Sequence, residues 1–225
     1  MASDRYNTQI LLPEPTLRRL PWYLSYIDIL AADGVATVSS TRIARALSVD
    51  ASQIAKDLSF LNIKGKTRIG YDVEDLRRAL TSFLGFRTAH NAFICGVGSL
   101  GEALIRDRGL SNYGLNIVAG FDVKPRLIGT EICHVPIFHP DDMKARQSAC
   151  QASIGILTVP VRQAQDVADN MVAAGIKAIW NFTPYRVRVR DGIVLANTSI
   201  YAHLAIIYNR LNSIGGGALK GKYSV

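Results

Sequence analysis

Apolar residues recur at helical spacing through the first third of the chain. The stretch PTLRRLPWYLSYIDILAADG has one apolar face and ends at Gly34, so it predicts a helix that Pro21 either kinks or starts late. Two shorter amphipathic stretches, SSTRIARALSV and DASQIAKDLSFL, are separated by a few residues around Val49, which is the layout of a helix-turn-helix. The candidate N-caps of these two helices are Ser39 or Ser40 and Asp50 or Ser52.

The pattern changes twice before residue 85. NIKGKTRIGYDV alternates apolar and polar residues and contains Gly65 and Gly70, which predicts a hairpin, and VEDLRRALTSFLG returns to helical spacing. A hairpin after a helix-turn-helix is typical of the wing of a winged helix. We therefore predict a winged-helix DNA-binding domain over residues 1–85, followed by the polar joint FRTAHN.

Strand and helix patterns alternate beyond this joint. Such alternation predicts a parallel sheet in a doubly wound, Rossmann-like α/β domain over residues 86–195. YRVRVRDGIVLA predicts a hairpin that turns at Asp191-Gly192, and a last amphipathic helix with a glycine-rich tail is predicted over residues 196–225. The strands are predicted at Ala92–Gly96, Asn116–Asp122, Val135–Phe138, Ser153–Val159 and Lys177–Asn181, and the helices at Leu100–Arg108, Asp141–Ala152 and Gln163–Ala174.

Composition narrows the class of protein. With 48% hydrophobic and 20% charged residues among 225, the chain is not of the disordered type, and no apolar run approaches the roughly 20 residues that span a bilayer. The first residues lack the pattern of a signal peptide, and the three cysteines have no metal-type spacing. We expect a cytoplasmic protein with no membrane partner and no metal site.

The net charge favours a polyanionic partner such as nucleic acid. It is +8 in total, but residues 1–85 hold 11 Lys and Arg against 9 Asp and Glu, a net of only +2. The charge therefore suggests DNA without locating its binding site.

A glycine-rich turn carries the strongest chemical signal. Gly96, Gly98 and Gly101 have the spacing GxGxxG between a buried strand pattern and a helix pattern, and the next strand ends at Asp122. In dinucleotide-binding folds these glycines allow a tight turn, close approach of the pyrophosphate and helix packing, and the carboxylate accepts hydrogen bonds from the ribose. Lys124 and Arg126 leave open the tolerance of a 2′-phosphate.

Two later strand ends carry polar residues. LTVP and NFTP place Thr158, Asn181 and Thr183 at the carboxyl edge of the predicted sheet, where ligands of open α/β sheets bind. These side chains offer hydrogen bonds to a carboxamide or a ribose. Both motifs are equally well explained as ordinary turns that end a strand at proline.

A nicotinamide-dependent enzyme would also need an acid or base beside the transferred hydride. None of the histidines is followed by an obvious orienting carboxylate in the sequence, no Ser/Lys/Tyr cluster replaces them, and a second, catalytic domain is missing. We therefore predict that the nucleotide is a signal and that the protein is not an enzyme. The four histidines are His90, His134, His139 and His203.

The two predicted domains together resemble the Rex family of redox-sensing transcriptional repressors over about residues 15–212. The resemblance implies a homodimer whose last helix crosses into the other subunit, binding of double-stranded operator DNA, and release of that DNA by NADH, with NAD+ a poor competitor. The stretches that carry it are LRRLPWYLSYIDIL, VSSTRIA, QIAKDLSFL, IGYDVEDL, CGVGSLGEAL, IVAGFDVKP, LTVP, AAGIKAIWNFTP and the closing helix.

The resemblance also implies residues for each site. Along the nucleotide they are Gly96, Val97, Gly98, Ser99, Leu100 and Gly101 at the pyrophosphate, Asp122 with Val123 and Lys124 at the adenine ribose, and Thr158, Val159, Pro160, Asn181 and Phe182 at the nicotinamide. On DNA they are Ser40 and Thr41 at a helix start, Gln53, Lys56 and Ser59 facing outward on the recognition helix, and Lys64, Lys66 and Arg68 on the wing.

This chain departs from the family pattern at several positions. Ala55 and Thr67 stand where the family has arginines that face DNA, and Arg68 stands where glycine is usual. Ser25 and Ser199 replace an arginine and an aspartate that form an ion pair between the first helix and the partner's last helix. Because both partners of that pair are absent together, we predict a retained dimer contact with a rebuilt switch.

Two other classes of function remain open from the sequence. One is a nucleotide-dependent oxidoreductase whose first domain serves assembly, and the other is a CoA-binding module that uses the same glycine loop. For the last helix, packing within its own chain through Ile200, Leu204, Ile207 and Leu211 is the alternative to exchange between subunits.

Overall fold

The computed structural model describes residues 12–61 and 63–215. The chain forms two compact units, Met1–Thr88 and Ala89–Val225. The second unit begins just before the strand that leads into the glycine-rich turn. No described helix has both the length and the apolar character needed to cross a membrane.

The first unit is a small helical domain with a two-stranded sheet. Its core brings together apolar side chains from all four helices, among them Tyr23, Ile43, Leu58 and Leu76. Its elements are α1 (Glu14–Ala32), β1 (Thr37–Val38), α2 (Ser40–Leu47), α3 (Ala51–Ser59), β2 (Tyr71–Asp72) and α4 (Val73–Phe83).

Short polar side chains start the helices of the helix-turn-helix. Ser39 accepts a hydrogen bond from the N–H of Arg42 at the start of α2, and Asp50 accepts one from the N–H of Ser52 at the start of α3. Ser48 ends α2 in a left-handed conformation, so α3 begins only three residues later. The first helix runs continuously from Glu14 and includes Pro21, so the prediction of a late start is wrong.

The segment predicted as a hairpin forms a single β-bridge rather than two paired strands. Lys66 and Gly70 exchange two backbone hydrogen bonds and form a single bridge, which closes a tight turn. The residues after it, Tyr71 and Asp72, pair with β1 rather than with the other arm of the turn. The alternating pattern predicted the turn correctly, but the pairing partner is set by the tertiary fold.

The second unit is a seven-stranded sheet covered by helices, as predicted for a doubly wound α/β fold. Its strand order is β5-β6-β4-β3-β7-β8-β9, with β5 alone antiparallel to its neighbour. The six parallel strands thus follow the order 3-2-1-4-5-6 of the Rossmann fold. The elements are β3 (His90–Cys95), α5 (Ser99–Arg106), α6 (Gly109–Asn112), β4 (Leu115–Phe121), β5 (Glu131–Ile132), β6 (Val135–Phe138), α7 (Met143–Cys150), β7 (Ile154–Leu157), α8 (Ala164–Ala174), β8 (Ala178–Asn181), β9 (Val194–Asn197) and α9 (Ile200–Gly215).

One predicted hairpin is wrong and another was not predicted. The arm from Tyr185 to Arg190 forms no strand, and β9 pairs in parallel with β8, so the turn at Asp191-Gly192 does not join two paired strands. The first arm instead packs on the core, where Val187 is buried. A two-residue turn at Cys133 and His134, both at positive φ, joins β5 to β6 in the arrangement of a type I′ hairpin.

Candidate functional site

A cavity of about 450 Å³ opens at the carboxyl edge of the sheet. It lies where β3 and β7 are neighbours and their connections leave on opposite faces, the position at which ligands bind in doubly wound folds. Of the residues predicted for the nucleotide, eight line it: Gly96, Gly98, Asp122, Val123, Lys124, Thr158, Val159 and Pro160.

Each glycine of the loop has a different amount of space around its Cβ position. Gly96 has φ +94°, and a Cβ there would come within 2.7 Å of the Thr158 carbonyl oxygen. A Cβ on Gly101 would come within 2.0 Å of the Gly96 carbonyl oxygen, so only glycine lets α5 pack this closely. At Gly98, which precedes α5, nothing lies within 4 Å of the Cβ position. The open space therefore lies at the helix N-terminus, where free N–H groups favour an anion.

Side chains from two other strands hold the loop in place. The Asp122 carboxylate accepts a hydrogen bond from the N–H of Val97 at 2.7 Å and another from the N–H of Lys124 at 2.9 Å. The Thr158 hydroxyl lies 2.7 Å from the carbonyl oxygen of Gly96. Asp122 is only 8% exposed, but its two oxygens retain further acceptor positions toward the cavity.

The structure does not bring every predicted nucleotide residue to the cavity. Both amide hydrogens of Asn181 are donated, to the Tyr185 carbonyl and to Asn197, and its oxygen accepts two hydrogen bonds from Thr183. This amide therefore has no capacity left for a carboxamide or ribose, contrary to the prediction. Phe182 stacks on Trp180 with ring centroids 4.6 Å apart. Val97 and Gly101 are buried behind the loop, while Ser99 and Leu100 are exposed at the start of α5.

Several residues of the lining were missed by the sequence analysis. Gln163, Val167 and Asn170 come from α8 and the turn before it, and their spacing of four and three residues places them on one helical face. That spacing directly after LTVP was the available signal. Apolar walls come from Cys95, Phe121, Pro140 and Met143, and burial raises the pKa of the Cys95 thiol, which keeps it protonated.

The residues predicted to contact DNA lie on the helix-turn-helix and on the segment that follows it. Lys56 and Ser59 are exposed on α3, Thr41 is exposed at the start of α2, and Ser40 beside it is half-buried. The tight turn exposes Lys64, Lys66 and Arg68. Arg68 has φ +66°, the left-handed conformation that glycine adopts without strain.

Gln53 does not face outward as predicted. It is half-buried, and its amide donates a hydrogen bond to the Asp57 carboxylate at 2.8 Å. Asp57 is fully buried and also accepts hydrogen bonds from Thr16, Tyr23 and both Nε and Nη2 of Arg19. These contacts join the recognition helix α3 to α1 through one carboxylate.

Burial raises the pKa of Asp57, but its hydrogen bonds to Arg19, Tyr23, Gln53 and Thr16 outweigh that effect and hold it below the usual range. Asp57 in turn raises the pKa of Arg19. The buried carboxylate is therefore ionised and paired at neutral pH.

The two serines predicted to replace a switch ion pair, Ser25 and Ser199, make hydrogen bonds to neighbouring backbone of the same chain. Ser25 donates to the carbonyl of Pro21 at 3.0 Å, and Ser199 accepts from the N–H of Ala202 at 3.1 Å at the start of α9. Every described side chain of α9 is exposed, including the apolar residues proposed to pack within the chain: Ile200, Leu204, Ile207 and Leu211. Packing within the chain is therefore wrong for α9.

Among the described residues, no group of three His, Cys, Asp or Glu side chains is arranged to hold a metal ion. Nor do the described residues around the cavity include a histidine. The polar groups that line it are Asp122, Lys124, Thr158, Gln163 and Asn170.

Comparison with known proteins assigns a family. Residues 11–59 match the family described as "Putative DNA-binding protein N-terminus", and residues 87–185 match the "CoA binding domain". The chain is 58% identical over 201 residues to the redox-sensing transcriptional repressor Rex of Bacteroides fragilis, covering 89% of this chain and 91% of the relative.

Two solved structures have the same fold over nearly the whole chain. The structure of RSP with β-NAD+ and operator DNA is 35% identical, with a TM-score of 0.87, and covers 95% of this chain and 99% of that one. RSP with β-NADH is 36% identical, with a TM-score of 0.82, and covers 91% and 96%. The chain therefore belongs to the Rex family of redox-sensing transcriptional repressors.

Proposed function

We propose that this protein is a repressor that binds operator DNA as a homodimer and releases it when NADH binds, so that transcription follows the NADH/NAD+ ratio. The observation that carries the proposal is the pairing of two sites in one chain: a basic helix-turn-helix in the first unit and an open place for a pyrophosphate at Gly98 in the second. The proposal is supported by relatives that contain both units in the same order.

NADH fits the residues that line the cavity. The pyrophosphate would lie at Gly98 and the N-terminus of α5, and Asp122 would use its remaining acceptor positions for the adenine ribose. The nicotinamide would lie toward Thr158, Val159 and Pro160. Met143, which follows β6 on the side of β4 away from β7, would give the adenine end of the cavity an apolar wall.

The DNA site would consist of α3, the start of α2 and the tight turn. Lys56 is exposed and free to face the major groove, whereas Gln53 would have to leave Asp57 to read a base. The exposed Ser59 hydroxyl donates to the Lys56 carbonyl at 2.6 Å and would meet DNA as an acceptor. Lys64, Lys66 and Arg68 would contact phosphates beside it. Because Ala55 carries no charge, base recognition on α3 depends mainly on Lys56.

The homodimer would form around α9. This helix exposes apolar side chains along its length, with Tyr201 at 65% and Leu211 at 58%. A second copy that covers them would remove a large apolar area from water. Such a protein acts where DNA and nicotinamide nucleotides occur together, and we propose the cytoplasm.

Regulation rather than turnover is the proposed use of the nucleotide. An oxidoreductase would need an acid or base near the nicotinamide, whereas the charged side chains among the described residues of the cavity, Asp122 and Lys124, both follow β4 at the proposed ribose end. The CoA-binding alternative draws on the match over residues 87–185. Asp122 favours a ligand with a free ribose diol instead. Calorimetric titrations with NADH and with CoA compare the affinities of the two ligands directly.

The test of the function is DNA binding at fixed salt with and without nucleotide. We expect NADH to weaken binding to a duplex selected from a randomised pool, and Lys56→Ala to weaken DNA binding while NADH binding is unchanged. The control, Lys144→Ala, removes an exposed charge from the second unit. The proposal fails if neither NADH nor NAD+ changes DNA affinity by about twofold, or if a chain shortened at Asn197 remains a dimer by light scattering.

A further inference from the structure

Three arginines form a row on the segment between β8 and β9. Arg186, Arg188 and Arg190 are exposed, whereas Val187 between them is 2% exposed and packs with residues of α7 and α8. This alternation indicates an extended backbone, in which every second residue points to the same side about 6.6 Å further along. The arginine row, Arg186, Arg188 and Arg190, therefore presents three positive charges on one side of the second unit.

The backbone of this segment is fixed rather than loose. The N–H of Arg188 donates to Oε1 of Gln165 and its carbonyl accepts from Nε2 of the same side chain, both at 2.9 Å. The carbonyl of Tyr185 accepts from the Asn181 amide at 2.7 Å. Because the segment is held in place, a ligand that binds the row would not have to order its backbone.

Some exposed arginines of the chain pair with carboxylates, and others, including those of the row, do not. Arg18, Arg77 and Arg106 each pair with an acidic residue on their own helix. Among the described residues, no ion pair joins a carboxylate to any of the three guanidinium groups of the row, as is also true of the isolated Arg108 and Arg162. The row is distinguished by having three such groups at every second residue, with Asp191 as the single acidic residue of the segment. Clustered positive charges without such partners repel one another and favour a polyanion.

We propose that the arginine row binds backbone phosphates of the DNA that flanks the operator. This inference rests on the proposed function, because the duplex must first be held by the helix-turn-helix. The planar guanidinium donates two hydrogen bonds to a phosphate, and phosphates follow one another about every 3.4 Å along the axis of each strand, so the row spans several of them. Such contacts add affinity and salt dependence but no sequence preference.

The experiment uses the full-length protein and one selected duplex in two lengths. One length ends at the selected site, and the other extends it by about 10 bp, one helical turn, on each side. Affinity is measured between about 50 and about 200 mM salt for wild type and for R186Q/R188Q/R190Q. The matched control is R108Q/K144Q/K177Q, which removes three exposed charges of the same unit outside the row.

We expect the row variant to lose at least about fivefold in affinity for the long duplex at low salt. The slope of log K against log salt should be smaller by about 0.9 for each phosphate that the variant no longer neutralises. On the short duplex the row variant should match wild type, and the control should match wild type on both.

The inference would be overturned if the row variant lost no DNA affinity, lost it equally on both duplexes, or lost no more than the control variant. It would also be overturned if the row variant changed the molecular mass of the protein in solution, which would place the row between copies of the chain. If wild type failed to bind the short duplex, the proposed function would fall with it.

Discussion

The carboxylate of Asp122 lies 2.7 Å from the backbone nitrogen of Val97 and accepts its hydrogen bond, so the end of β4 holds the glycine loop that follows β3. This side chain fixes the loop, and we propose that it also receives the ribose. The nucleotide site depends on this carboxylate even before any ligand enters it.

Replacing Asp122 by asparagine should therefore weaken NADH binding. The amide keeps one acceptor oxygen but would direct an NH₂ group at one of the two backbone donors, and an unsatisfied buried group costs about 1–3 kcal/mol. We expect an affinity loss of about tenfold or more by calorimetry. Glu131→Gln, which changes an exposed carboxylate to an amide on β5, should bind NADH as wild type does. Equal affinity of the two variants would contradict the assigned task of Asp122.

Two glycines of one loop should respond in opposite ways to alanine. Gly101→Ala places a Cβ 2.0 Å from the Gly96 carbonyl oxygen, so we expect the second unit to lose stability. Gly98→Ala meets nothing within 4 Å and has φ −85°, so the fold should be unchanged while NADH affinity falls, because the methyl group occupies the place of the pyrophosphate. Thermal unfolding and calorimetry separate the two effects. If Gly98→Ala bound NADH with wild-type affinity, the pyrophosphate would not lie at Gly98.

The buried carboxylate of Asp57 should set the acid stability of the first unit. Its pKa is below the usual value of about 3.9 in the folded state, so its contribution is complete above that value and is lost as the pH falls through the lower, folded-state pKa. Asp57→Asn should cost about 3 kcal/mol at neutral pH, because Arg19 loses its partner, and should reduce the dependence on acid pH.

The control for Asp57→Asn is an exposed pair on the same first helix. Glu14 and Arg18 are both more than half exposed, so Glu14→Gln should cost about 0–1 kcal/mol and leave the pH profile intact. Unfolding by urea at several pH values measures both variants. A Glu14→Gln variant as unstable as Asp57→Asn would show that burial of the pair is unimportant.

Arg68 should be strained by its left-handed backbone. At φ +66° an arginine costs about 1 kcal/mol more than glycine, so Arg68→Gly should raise the free energy of unfolding while Arg68→Ala should not. Both variants lose the same charge, and we expect the same loss of DNA affinity from each. Denaturant unfolding and DNA titration of the two variants test this. Equal stability of the alanine and glycine variants would remove the argument from strain.

Much of the fold could be predicted from local patterns. The strands and helices predicted for the second unit all lie within a few residues of observed ones, because buried parallel strands such as β3 and β7 are continuous apolar runs that alternate with amphipathic helices. The hairpin at Asp191-Gly192 failed because an alternating stretch shows which side chains face the core but not which strand is its partner. Val187 and Val189 face the core without belonging to the sheet.

The candidate sites, like the fold, were predicted where local patterns decide and missed where tertiary contacts decide. GxGxxG followed by Asp122 predicted the loop, since each glycine answers a local steric need, and the family pattern located the basic residues of the first unit. Gln53 was misjudged because its partner one turn along α3, Asp57, is held in the core by side chains of α1. Asn181 was misjudged because its amide also bonds Asn197 on β9. Gln163 and Asn170 reach the cavity only because α8 lies beside the end of β7.

The sequence by itself determined the two units, their order and the glycine-rich turn proposed for the pyrophosphate, because periodicity and glycine spacing act over a few residues. The tertiary structure alone decided which polar side chains remain available. Hydrogen-bonding capacity is limited: the Gln53 amide is taken up by Asp57, which Arg19 of α1 holds in the core, and the Asn181 amide by Tyr185 and by Asn197 of β9.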